Sequence, residues 1–164
     1  DVLIMEGIHG LNPALTPLVP DEEKFKIYVS VLAPLLVDES MAVSPSDYRL
    51  MRGMVRDNQF RGCNAESTIL RWPSVRAGEE KYIVPFKENA DVLFDTSLIY
   101  EMPMLKCYAE PLLQTVRKDS DAYPEAKRLL DILHRLIAMT PAEIKNIPPT
   151  SIFREFIGGS SFSY

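Results

Sequence analysis

The chain has 164 residues, with 46% apolar and 25% charged side chains, which is ordinary globular usage and excludes wholesale disorder or collagen-like repeats. A formal charge of −5 argues against a general nucleic-acid or anionic-membrane binder, and no apolar run approaches the ~18 residues needed to span a bilayer. Cys63 and Cys107 form neither a CxxC nor a Cys/His cluster, so a disulfide framework and a zinc site are not indicated and reduced cytosol is the default compartment.

The length predicts a single domain over 1–164. The chain starts at Asp1-Val2-Leu3-Ile4-Met5 without initiator Met or cleavage signature and reads as a fragment opening inside a buried strand, Val2 to Met5, ended by Glu6-Gly7. Ile8 to Glu23 carries three prolines and reads as loop. Phe25 to Leu32, rich in β-branched and aromatic residues, reads as a second strand, and Asp91 to Asp95 as a third.

Between the strands lie helical patterns. Ser44-Pro45-Ser46-Asp47 offers an N-cap, a proline at the first helical position and an acid at the third, and Gly62 stops the helix after about Phe60. A second helix starts near Asn64 and should break or kink at Pro73, and Ser74 to Tyr82 is a charged third region. Further on, a helix around Leu105 to Val116 is interrupted by Pro111. Another runs from Pro124 to Met139, with Leu129, Leu130, Leu133, Leu136 and Ile137 as its apolar stripe. Thr140 to Glu143 is a capping box, and Ser151 to Ile157 forms a last short helix stopped by Gly158-Gly159. Strands alternating with helices predict an α/β fold with a mostly parallel sheet.

Few residues stand out chemically. Glu6 follows an apolar strand, where an acid can hold Mg²⁺, although a strand-end carboxylate bonded to backbone N–H groups is the plainer reading. Arg49, Arg52 and Arg56 fall within a ~60° sector of one helix, opposite Met51, Met54 and Val55, and Arg61 follows. Guanidiniums sharing a face repel one another, so either phosphate or acids such as Asp57 and Glu66 must compensate them. His9 lies in the loop after Glu6 and could touch a substrate, whereas His134 sits in a helix with a surface or packing role. Trp72 could stack on a base or anchor a core, and Met51, Met54, Met102, Met104 and Met139 read as core filler.

Four stretches, Asp1 to Pro13, Arg49 to Gly62, Arg71 to Glu80 and Ile152 to Gly159, together resemble the uridine kinase and phosphoribulokinase-type P-loop kinases. The likeness is strongest to bacterial uridine kinase-like proteins that carry an N-terminal threonyl-tRNA-synthetase-like region. This resemblance implies a partial P-loop NTPase fold, a three-layer αβα arrangement with a mostly parallel sheet lacking the P-loop strand. It implies a C-terminal portion of an ATP-dependent nucleoside kinase that moves the γ-phosphoryl of ATP to a ribose 5′-hydroxyl, with lid-like helices about 45–82. Glu6 resembles the acid that helps hold the Mg²⁺ of MgATP. Arg49, Arg52, Arg56 and Arg61 resemble the catalytic lid arginines, with Arg56 and Arg61 on the nucleotide. His9, Arg49, Arg71, Trp72 and Arg76 become candidate substrate contacts.

Two departures matter. Arg52-Gly53 stands where many relatives have adjacent arginines, and no Gly-x-x-x-x-Gly-Lys-Ser/Thr occurs in the chain, so the chain by itself is expected to be inactive. The implied partners are a uridine-like nucleoside, with no nucleic acid or membrane, and a second copy through exposed sheet edges, in the cytoplasm. The alternatives are a non-catalytic anion- or partner-binding α/β module, or a kinase of another small acceptor in the same family.

Overall fold

A computed structural model describes residues 1–163, which fall into two compact units. The first comprises Asp1–Leu32 and Pro73–Thr96, the second Ala33–Trp72 and the residues from Ser97 onward.

In the first unit β1 (Ile27–Ser30) and β4 (Val92–Asp95) form a two-stranded parallel sheet, in register from Ile27 opposite Val92 to Ser30 opposite Asp95. The expected second and third strands are therefore present and paired. Aspartates hold both ends of the pair. Asp91 accepts from the Lys26 N–H at 2.7 Å, and Asp95 accepts from the Leu32 N–H at 3.2 Å.

The expected strand over Val2–Met5 is not formed. These residues have no regular structure, and Val2, Leu3 and Ile4 are each more than four-fifths exposed. A strand persists only where its N–H and C=O groups find a neighbour, and β1 has β4 as its partner while no strand among the described residues pairs with residues 2–5. In the following loop Pro13 opens a short 3₁₀ turn, Pro13–Leu15, and Pro20 immediately precedes another, Asp21–Glu23.

The second unit holds most of the core. It opens on an antiparallel hairpin, β2 (Leu35–Asp38) with β3 (Met41–Val43), which the sequence reading missed. Asp38 shapes the turn by accepting from the Ser40 N–H at 2.8 Å. The sheet is thus a parallel pair and a separate antiparallel pair, rather than one mostly parallel three-stranded sheet.

Helix α1 (Pro45–Arg61) starts as its sequence predicts. Ser44 Oγ accepts from the Asp47 N–H at 3.1 Å while Asp47 Oδ2 accepts from the Ser44 N–H at 3.2 Å. Gly62 ends it at φ +64°, a left-handed conformation that side-chain-bearing residues avoid.

Two expected proline breaks do not occur. Helix α2 (Ala65–Tyr82) runs through Pro73, and the expected charged third region is its continuation. Helix α3 (Glu101–Gln114) likewise contains Pro103 and Pro111. Pro103 falls in the first turn, where the N–H is not needed. Pro111 and Pro73 each remove one intrahelical bond and are both exposed, so the flanking turns carry the helix past them.

Helix α4 (Tyr123–His134) ends before the expected Met139. Lys106 explains the early stop. Its ammonium donates to the carbonyls of Leu133 and Leu136, both at 2.8 Å, satisfying groups that a longer helix would have bonded itself. Leu129 and Leu133 are buried as the stripe predicts, but Ile137 lies past the helix and is exposed. Short helices α5 (Pro141–Lys145), with its Thr140/Glu143 capping box, and α6 (Arg154–Ile157) complete the unit. Tyr48, Leu50, Met51 and Met54 of α1 pack in its interior with Met102, Met104 and Leu105 of α3, Leu129 and Leu133 of α4, and Phe153.

Candidate functional site

The arginines of α1 occupy three different environments. Arg52 is buried and makes a two-pronged ion pair with the fully buried Glu101, Nη2 to Oε2 at 2.7 Å and Nε to Oε1. Its guanidinium also lies over the rings of Phe153 and Phe156, 5.7 and 5.6 Å from their centroids. This arginine ties α1 to α3 and α6. Removing one partner of such a buried pair strands the other charge, which costs ~3–5 kcal/mol.

Arg56 and Arg61 share one carboxylate. Asp57 Oδ1 accepts from Arg56 Nε at 3.1 Å and from Arg61 Nη1 at 3.0 Å. The carboxylate is buried, whereas the Arg56 and Arg61 side chains are 34% and 56% exposed, so both guanidiniums keep donors facing water. A single acid holds two cations side by side, leaving a net positive charge for an incoming anion.

Arg49 is half-buried beside Trp72, its guanidinium carbon 5.9 Å from the ring centroid. The indole N–H donates to Ser46 Oγ at 3.3 Å, which fixes the ring against the first turn of α1. Ser46, Arg49 and Trp72 thus form one cluster in the second unit, while the neighbouring Arg71 is exposed.

The other sequence-predicted residues belong to the first unit. Glu6 and His9 are exposed, and His9 meets Tyr82 edge-to-face at 6.2 Å. Arg76 is exposed and pairs with Glu80 at 3.1 Å within α2. Among the described residues no three His, Cys, Asp or Glu side chains gather to hold a metal ion. A resident metal centre is therefore not assembled by these side chains.

Sequence reading missed Glu101, since a lone glutamate opening a helix carries no signal of its partner on another helix. It also missed the pair formed by Asp47 and Arg128. Burial pushes the Asp47 carboxyl up, but hydrogen bonds from Arg128 and Ser44 outweigh it and hold the group below the usual carboxylate range. Asp38, bonded by Ser40 and then by Arg135, is drawn down to about 2. Burial pushes the Cys107 thiol up, away from thiolate reactivity.

Sequence comparison bears on these residues. Two curated proteins named uridine kinase, from two strains of Staphylococcus epidermidis, are each 32% identical to the chain over 94 residues. The match covers 57% of this chain and 38% of each relative, so the chain spans well under half the length of the proteins it matches. No family model matches, and no solved structure matches. No helix among the described residues is long and apolar enough to cross a membrane. Over somewhat more than half its length, the chain is similar in sequence to proteins that carry the name uridine kinase.

Proposed function

We propose that the chain is a portion of a nucleoside kinase of the uridine type, a cytoplasmic P-loop kinase that moves the γ-phosphoryl of ATP to a ribose 5′-hydroxyl. The observation that carries this reading is the 32% identity to the two uridine kinases. A threonyl-tRNA-synthetase-like region elsewhere in the protein belongs to the same proposal.

The α1 cations supply what phosphoryl transfer requires, since that chemistry rests on positioning and charge neutralisation rather than on covalent work by the protein. Arg56 and Arg61, held in place by Asp57, offer their exposed donors to the nucleotide phosphates. Arg49 and Trp72 face the acceptor, with Arg71, His9 and Arg76 as further substrate contacts. Arg52 works from behind: its donors engage Glu101, and its contribution is to hold the helix that carries the other arginines. Magnesium bound with ATP would shield the phosphate charge, and Glu6 is the residue proposed to hold it.

The test is formation of uridine monophosphate from uridine and MgATP, measured on this chain and on any longer form that its gene encodes. We expect turnover only in a form that contains a phosphate-binding loop. In that form Arg56→Ala and Arg61→Ala should each lower kcat by ~10²-fold or more, the scale for losing a preorganised group that stabilises transition-state charge. Full turnover by this chain alone would overturn the requirement for a phosphate-binding loop, unchanged rates in the variants would remove Arg56 and Arg61 from the site, and no turnover in any form would overturn the assignment. The apolar exposure of Ile27, Val29, Leu93 and Phe94 favours a second reading, a partner-binding module. That reading predicts no turnover in any form and a dimer or complex by light scattering.

A further inference from the structure

We infer that Asp57 is a positioning residue that trades affinity for rate: it fixes Arg56 and Arg61 side by side for a phosphate chain, and its own charge weakens their grip on that chain. This role rests on the reading that the α1 cations meet phosphate. It assigns opposite effects on binding and on turnover to one buried acid.

Asp57 is anchored more firmly than either cation it holds. It is 6% exposed, whereas the guanidinium-bearing side chains reach water. Both cations bond to one atom, Oδ1, through Arg56 Nε and Arg61 Nη1, so they stay adjacent where two free arginines would move apart. The main chain adds to the anchor. The Asp57 carbonyl accepts from the N–H groups of Gly62 and of Cys63, the latter at 3.1 Å, and Asn58 Nδ2 donates to the Cys63 carbonyl at 3.0 Å. The turn that follows Arg61 is thus closed on Asp57 itself.

Two effects on a bound anion oppose each other. A carboxylate bonded to both guanidiniums lies one side-chain group away from any anion they hold, and near a protein surface its repulsion acts on every charge of a polyphosphate. In the other direction, cations fixed beforehand give up less freedom on binding and stand in place when charge develops in the transition state. The repulsion grows with ligand charge while the ordering gain is set by two side chains, so for a polyphosphate the charge decides affinity. Rate depends instead on where the two donors stand, and a small misplacement there costs far more than it does in ground-state binding.

Asp57→Asn separates the two effects, because it keeps the shape of the side chain and removes its charge. The first measurement is calorimetric titration of the chain and the variant with inorganic tripolyphosphate at constant ionic strength. We expect the variant to bind roughly fivefold more tightly. In a longer form that turns over, the same substitution should lower kcat by ~10-fold or more without raising the KM for MgATP, whereas a merely structural loss would lower kcat and raise KM together. Weaker, equal or undetectable tripolyphosphate binding in the variant, or an unchanged kcat, would overturn the role. Absence of turnover in every form would remove the kinase reading and leave the tripolyphosphate titration to decide Asp57. Should Asp57→Asn fail to fold, the Arg56 Nε–Hε resonance of the wild-type chain decides. It should exchange slowly with water before and after tripolyphosphate is added, and loss of that protection on binding would mean that the anion displaces Asp57 and would overturn the role.

Discussion

The two units treat similar residues in opposite ways. In the second, Leu50, Met54, Leu105 and Leu129 are fully buried, whereas in the first, Leu3, Ile4, Val29 and Phe94 stand largely in water. Hydrophobicity is comparable, so the difference lies in architecture. Amphipathic helices α1, α3 and α4 pack their apolar stripes against one another, and each supplies the cover the others need. A two-stranded sheet has two faces and two edges and can cover neither face by itself, while parallel sheets are normally buried on both.

That contrast can be broken most sharply at Glu101. Its replacement by alanine strands Arg52 in the core of the second unit, and urea unfolding should show a loss of ~3–5 kcal/mol. Arg52→Met combined with Glu101→Leu should recover most of that loss, because it removes both charges at similar volume. A cost below ~1 kcal/mol for Glu101→Ala would mean that the pair is solvated rather than buried.

Leucines provide the direct comparison. Leu129→Ala should cost ~2–5 kcal/mol through the cavity it leaves, while Leu3→Ala should stay within ~0.5 kcal/mol. Equal effects would show that Leu3 is covered in solution. At the helix starts, Ser44→Ala should cost about 1 kcal/mol by freeing the Asp47 N–H, read as a lowered denaturation midpoint.

The smallest effect is that of pH on Asp38. Its folded value of about 2 lies below the unfolded value near ~3.9, so its contribution is complete above that unfolded value and is lost as pH falls toward 2. Asp47, also lowered, acts in the same direction. Arg135→Ala should reduce the acid sensitivity of the hairpin; an unchanged acid titration would remove Arg135 from the account.

Helix starts were the most legible part of this chain, because a cap is a local chemical pattern: Ser44 with Asp47 and Thr140 with Glu143 form the boxes their spacing predicts. Strand Val2–Met5 failed because an apolar run states a preference for burial and says nothing about whether a neighbour is present. Pro73 and Pro111 misled for a related reason, since the lost bond is a fixed cost and whether it ends a helix depends on the turns around it. The hairpin Leu35–Val43 carried a readable signal, two apolar runs about Asp38-Glu39-Ser40, that was passed over. At the candidate site, the periodicity of Arg49, Arg52 and Arg56 located the stripe but could not divide it. Asp57 was foreseeable as a partner, whereas Glu101 is far away in sequence and comes to Arg52 only through the packing of α3 on α1.

Lys106 shows how such packing changes what a count of charges means. It adds to the 18 basic residues of the composition, yet its ammonium is occupied by the Leu133 and Leu136 carbonyls, with Glu110 3.8 Å away. An amine reagent that modifies surface lysines quickly should reach this one slowly, and its late modification would report the end of α4 letting go. Lys106 can therefore serve as a built-in chemical clock for the opening of the second unit, with no probe added to the chain.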